Sequence, residues 1–136
     1  MTGYFLAARE AIRRMSTERG GKGGAIVNVS SRAAPLGGGG EWVHYAASKG
    51  ATDTFTIGLA REVGAEGIRV NAVRPGLIDT ELHAAAGAPD RLTRLMSGVP
   101  MGRAGSAEEV AETILWLAGP QSSYVSGALV DVSGAR

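Results

Sequence analysis

Along the first seventeen residues, Phe5, Ala8, Ile12 and Met15 recur at helical spacing, while Arg9, Glu10, Arg13 and Arg14 fall on other faces. The pattern predicts an amphipathic helix from Thr2 to about Thr17. GGKGG (Gly20 to Gly24) breaks it. AIVNVS (Ala25 to Ser30) follows as a short apolar, β-branched run that predicts a strand buried on both faces. After a loop from 31 to 44, Ala47, Ala51, Phe55, Leu59 and Val63 recur in steps of four through a long helix ending near Gly64 to Gly67. IRVNAV (Ile68 to Val73) predicts a second buried strand, stopped by Pro75 and Gly76. From 76 to 105 the chain is rich in glycine and proline with weak periodicity, the composition of a long functional loop. Ser106 and Glu109 have capping-box spacing, and the helix they open is expected to carry Val110, Ile114, Leu115 and Leu117 inward. After the turn GPQSS, ALVDV (Ala128 to Val132) predicts a third strand.

Strands that alternate with helices, each strand a continuous apolar run, predict an α/β fold built on a parallel sheet covered on both faces. Three strands make a small doubly wound sheet, and the chain starts inside a helix with no strand before it. The expected architecture is therefore the C-terminal half of a doubly wound, Rossmann-type domain.

Composition narrows the function. With 136 residues, 44% hydrophobic and 20% charged, the chain reads as globular. Fourteen Lys and Arg are scattered among 13 acids for a net charge of +1, so no basic stripe suits nucleic acid or a membrane surface. The absence of cysteine excludes disulfides and thiolate chemistry. No basic stretch precedes an apolar core at the start, and no apolar run nears about 18 residues, so a cytoplasmic location is expected. His44 and His83 lie far apart without metal-ligand spacing, and no metal is expected.

Several tempting motifs do not qualify. GGKGG follows a helix and opens a strand, the reverse of a phosphate loop, and reads as a turn. No G-x-G-x-x-G follows a strand, and neither Ser30 nor Ser31 has the flanking glycines of a hydrolase elbow. GGGG (Gly37 to Gly40) reads as a flexible loop. What remains gathers around the end of the first strand. Ser31 lies just past VNVS, where ligands of open parallel sheets bind, and Tyr45 and Lys49 stand four apart at the start of the next helix, on one face. A free phenol titrates near pH 10, too high for ready proton exchange at neutrality, and a neighbouring cation favours the phenolate. Lys49 is placed to supply that cation and Ser31 to hold a substrate oxygen, a proton donor and acceptor for a carbonyl and alcohol pair. Trp42 and His44 border Tyr45, as pocket lining or as packing at the base of the loop.

IVNVSS, YAASKGA and GIRVNAVRPGLIDTEL, in that order, resemble the short-chain dehydrogenase/reductase family. GYFLAAREAIRRM, PMGRAGSAEEVAETILWLAG and YVSGALVDVSGAR extend the resemblance over essentially the whole chain. It implies an NAD(P)-dependent oxidoreductase acting on a small alcohol or carbonyl compound, with residues 1–136 as part of an NAD(P)-binding Rossmann-type domain. By resemblance Ser31 activates the carbonyl and Tyr45 transfers the proton. Lys49 assists Tyr45 and binds the nicotinamide ribose. Pro75, Gly76, Ile78 (through its backbone) and Thr80 hold the nicotinamide end. Residues 77 to 103 would form the substrate flap. The first helix and the 46 to 64 helix would form a four-helix interface in a homo-oligomer, a dimer or tetramer.

The departures are informative. The family's glycine-rich cofactor motif, the residue that selects NAD or NADP, the first four strands and a catalytic asparagine all belong before Met1. Serine-to-tyrosine spacing is one residue longer than usual. The chain reads as truncated and inactive alone. The alternative is a non-catalytic fragment, from a misassigned start or dependent on a partner for its stability.

Overall fold

A computed structural model of the chain describes residues 1–81, 87 and 90–136. His83 and part of the 76–105 loop lie outside the described residues. Eight elements position the site: α1 (Thr2–Met15), β1 (Gly24–Val29), α2 (Ala33–Leu36), α3 (Val43–Val63), β2 (Ile68–Pro75), α4 (Arg91–Leu95), α5 (Ala107–Ala118) and β3 (Leu129–Val132). The strands form a parallel sheet in the order β1-β2-β3. Gly24 to Val29 of β1 pair with Ile68 to Val73, and Ala72 to Pro75 pair with Leu129 to Val132. The fold is α/β with a parallel sheet, as expected.

Side chains alternate across a strand, so β2 feeds two cores. Ile68 and Val70 pack with Ala8, Leu59, Ala60 and Val63 on the α1/α3 face. Val73 packs with Val110 and Leu117 of α5 on the other. β2 is deeply buried, but β1 is not buried on both faces as expected: Asn28 is its one buried residue, and Val29 is 42% exposed. Among the described residues β1 is an edge strand with only β2 beside it.

The long-helix pattern also needs correction. Steps of four advance about 40° beyond a full turn, so the Ala47-to-Val63 stripe winds off the sheet. Ala47 is exposed, while Ala46, Thr52, Asp53 and Thr56 are buried in its place. Thr52 and Thr56 are satisfied along the helix and across to β1. Thr52 donates to the Ser48 carbonyl (3.2 Å), Thr56 to the Thr52 carbonyl (2.8 Å), and Asn28 Nδ2 donates to Thr56 Oγ1 (2.9 Å). In α5, Val110, Ile114 and Leu117 follow i, i+4, i+7 inward, whereas Leu115 is 70% exposed. Two regions read as loops contain short helices, α2 within 31–44 and α4 within 76–105.

Turns and caps match local chemistry. GGKGG is a turn, with Gly20 and Gly23 at φ of 83° and 75°. A Cβ on Gly23 would come within 2.5 Å of the Gly67 carbonyl oxygen, so the approach to β1 tolerates only glycine. At the far end of α5, Arg69 Nη1 donates to the carbonyls of Leu117 (2.8 Å) and Val125 (3.3 Å), and Nη2 donates to that of Gly119 (3.0 Å). A guanidinium thus satisfies carbonyls that the helix end leaves open.

The start of α5 has the capping box: Glu109 N–H donates to Ser106 Oγ and Ser106 N–H to Glu109 Oε2. Arg103 also donates to both Glu109 oxygens, at 2.9 and 2.6 Å. The Arg103 bonds, then the Ser106 N–H, hold the Glu109 carboxyl down to about 2, below its ordinary 4.5. A carboxyl depressed on folding stabilises above its unfolded value, and that contribution is lost as pH falls through the folded value. Glu109→Gln should therefore be less stable than the parent near neutrality, and the gap should shrink between about pH 4.5 and about pH 2. Urea midpoints of the two proteins followed by circular dichroism across that window check this. A constant gap would show that charge at Glu109 contributes nothing.

Candidate active site

Parallel strands deliver their C-terminal ends to one edge, and there the site forms. Ser30 N–H donates to the Val73 carbonyl (2.8 Å), Arg32 N–H to that of Pro75 (3.0 Å), and Gly76 N–H to that of Val132 (2.9 Å). Ser31 and the Pro75–Gly76 turn are thus fixed side by side. Gly76 is required here, since a Cβ would lie 2.7 Å from Cα of Ser133. The α3 helix is fastened to the same edge: Ser30 Oγ donates to the Lys49 carbonyl (3.2 Å), and Lys49 Nζ to the Val29 carbonyl (2.7 Å).

The Lys49 ammonium lies between two phenol rings, 5.6 Å from the centre of Tyr45 and 5.8 Å from that of Tyr4. The Tyr4 hydroxyl donates to the same Val29 carbonyl at 2.8 Å, and burial raises its pKa. Ser31 Oγ accepts from Ala33 N–H (3.1 Å), which directs the hydroxyl at the start of α2. Trp42 meets the Tyr45 ring edge-on, 5.7 Å between centres.

Ser31, Tyr45, Lys49, Pro75, Gly76, Ile78 and Thr80, the seven residues singled out in the sequence, line one cleft of about 480 Å³. Val29, Ala107 and Val110 give it apolar walls. Ile78 is held across it by a parallel bridge to Gly105, with Asp79 N–H donating to the Gly105 carbonyl (2.9 Å). A second cleft, about 100 Å³, shares Ser31, Tyr45, Pro75 and Gly76 and is closed by Leu36, Trp42 and Arg91. Ser31 and Tyr45 therefore stand where two chambers meet. Trp42 lines the smaller one, while His44 is exposed and lines neither. Tyr4 and Arg91 escaped the sequence reading. Tyr4 falls in an ordinary helical pattern, and Arg91 reaches the site only through a contact fifty residues away.

Arrangement and motif order together meet a family model described as enoyl-(acyl carrier protein) reductase, which matches residues 1–134. The chain belongs to the short-chain dehydrogenase/reductase family. Within this family it is 58% identical to the uncharacterized oxidoreductase YgfF of Escherichia coli (strain K12), over all of this chain and 55% of the relative. It is 42% identical to the glucose and ribitol dehydrogenase homolog of Oryza sativa subsp. japonica, over 96% of this chain and 44% of that protein. A crystal structure of a blue fluorescent protein from a metagenomic library, in complex with NADPH, superposes with a TM-score of 0.74 at 37% identity. That match covers 82% of this chain and 44% of the other. The chain spans about half the length of the curated relatives it matches. Among the described residues no helix is long and apolar enough to cross a membrane, and no group of His, Asp and Glu could hold a metal ion.

Behind the clefts, charged side chains join the four segments that form them. Arg74 donates through Nε (3.0 Å) and Nη2 (2.8 Å) to Asp53 of α3, one turn past Lys49. Its Nη1 lies 3.7 Å from Asp131 of β3, which accepts from Arg32 Nη1 at 2.9 Å. Asp53 is buried, so Asp53→Ala strands a half-buried guanidinium and should cost about 3 kcal/mol. Asp131 is more exposed, and Asp131→Ala should cost about 1 kcal/mol or less. Urea unfolding of the two variants of the full-length protein tests the order, and equal losses would contradict it.

Proposed function

We propose that the chain carries the proton-transfer half of a nicotinamide-dependent oxidoreductase that interconverts an alcohol and a carbonyl compound. The observation that carries this reading is the convergence of Ser31, Tyr45 and Lys49 with Pro75, Gly76, Ile78 and Thr80 on one cleft at the strand ends. The cleft's chemistry suits the nicotinamide end of NAD or NADP: an ammonium and two hydroxyls for ribose and carboxamide, with apolar walls from Val29 and Val110 for a flat ring. When bound, the cofactor supplies or accepts the hydride at the carbonyl carbon.

Tyr45 gives its phenolic proton to the carbonyl oxygen in reduction and takes it back in oxidation. Ser31 donates a hydrogen bond to that oxygen and holds the carbon in line. The Lys49 ammonium, 5.6 Å from the centre of the Tyr45 ring, places a positive charge beside the proton transfer. Thr80, with the backbone around Ile78, holds the carboxamide side. The family's catalytic asparagine and its adenosine-binding segments are supplied by the part of the relatives that this chain does not span.

The full-length protein would work in the cytoplasm as a homo-oligomer joined through α1 and α3. Phe5 (58%) and Leu6 (48%) stand exposed on α1, and Phe5 stacks on Phe55 of α3 with 4.5 Å between ring centres. An apolar groove of about 640 Å³ runs between the two helices. A second reading, a partner-dependent piece without catalysis, draws on the edge of β1, which among the described residues has only β2 beside it, and on the exposed Val29.

Tyr45→Phe in the full-length protein should lower kcat about 10²- to 10⁴-fold while leaving NAD(P)H binding, read by nicotinamide fluorescence, nearly unchanged. Full activity in that variant overturns the role of Tyr45. Failure of the unsubstituted protein to bind either reduced cofactor favours the non-catalytic reading. Light scattering at micromolar concentration should give a multiple of the protomer mass, and Phe5→Glu should shift it toward the monomer.

A further inference from the structure

The smaller cleft at Ser31 and Tyr45 holds a cation placed with unusual firmness. The Arg91 guanidinium lies 4.1 Å from the centre of the Trp42 ring, and Trp42 in turn meets Tyr45. Arg91 Nε donates to Glu41 Oε2 at 3.2 Å, and the side chain is only 16% exposed. Stacking fixes the plane of the guanidinium and the Glu41 bond fixes its rotation. Among the described residues nothing accepts a hydrogen bond from its two terminal nitrogens.

Glu41 is shared with Arg94, which also lies 3.9 Å from Asp90, so Arg91 meets Glu41 through Nε alone. Glu41 stands outside the cleft lining, which includes Arg32, Arg91 and Arg136 and, among the described residues, no Asp or Glu. Among the described residues Arg32 is committed elsewhere, to Asp131 and to the Arg136 carbonyl (2.6 Å), and Arg91 is the cation of this lining whose guanidinium stacks on Trp42, the ring that braces Tyr45. Two parallel N–H groups on a fixed plane match a carboxylate better than any neutral group. The cleft's volume of about 100 Å³ admits only a short molecule.

On the reading of this site as an alcohol and carbonyl oxidoreductase, we propose that its substrate is a short oxo acid, bound by its carboxylate to Arg91 with the carbonyl oxygen between Ser31 and Tyr45. In reduction the carbonyl carbon gains a hydride from the nicotinamide cofactor and the oxygen gains the Tyr45 proton. The carboxylate is unchanged. Trp42 acts as a positioning residue, since it holds Arg91 in plane and braces Tyr45 from the same side.

The test uses the full-length protein and matched pairs: pyruvate with methyl pyruvate, acetoacetate with methyl acetoacetate. A charge-assisted bond lost in the ester should lower kcat/KM about ten- to hundredfold relative to the acid. Arg91→Gln should shrink the acid-to-ester ratio at least about tenfold, and Arg91→Lys, a point charge without the fork, should shrink it less. Binding is read separately. Trp116→Phe removes the other tryptophan of residues 1–136, and the part of the emission that Trp42→Phe then abolishes should change saturably with the acids and not with the esters. Esters that react as well as acids overturn the proposal, as does an unchanged ratio in Arg91→Gln. Reduction of neutral carbonyls alone overturns it while leaving the oxidoreductase reading intact. No consumption of reduced cofactor with any carbonyl overturns both. Should Arg91→Gln fail to fold, the parent's acid-to-ester ratio and the Trp42 emission decide.

Discussion

Parallel pairing of β1 with β2 is the constraint on which the rest depends. With Val29 opposite Val73, β1 ends two residues before β2, and the residues that follow it run beside the last two residues of β2 at one edge. Ser31 is thereby set beside Pro75 and Gly76, and the Arg32 N–H bond to the Pro75 carbonyl continues the pairing past the strand. A slip of one residue would turn Asn28 away from Thr56 and reverse the two serines, so burial on the α3 face protects the register.

Alternation at the strand end also divides labour between two neighbouring serines. Ser30 is buried and ties the strand to the Lys49 backbone, whereas Ser31 lines both clefts. Lys49 is held from two directions, by its own carbonyl on Ser30 and by its ammonium on the Val29 carbonyl. The ion pairs from Asp53 through Arg74 to Asp131 and Arg32 then join α3, β2, β3 and the segment after β1. The site is rigid because each of its parts belongs to an element that is fixed for other reasons.

Elements governed by local chemistry were legible in the sequence. Strands appeared as β-branched runs, α5 as a capping box, and the GGKGG turn as a break that opens a strand. That the seven candidate residues would meet at one cleft was legible from the strand end for Ser31, Tyr45 and Lys49 and from the family resemblance for the other four. Less legible were features set by contacts distant in sequence. The sheet-facing side of α3 is polar around Thr52 and Thr56, so its apolar stripe pointed partly the wrong way. Leu115 looked like core by composition, but its angular position on α5 turns it outward. Arg91 meets Trp42 and Glu41 across fifty residues of chain, which no periodicity records.

Arg69 closes the end of α5 with its charge balanced by peptide carbonyls rather than by a carboxylate. Dissolved ions screen a pair of exposed opposite charges, but they have less purchase on a half-buried cation held among oriented dipoles. The far end of α5 is thus held by electrostatics less sensitive to ionic strength than exposed pairs such as Arg103 with Glu109, which weaken as salt rises. One helix therefore carries two grips of unequal salt sensitivity, one at each end.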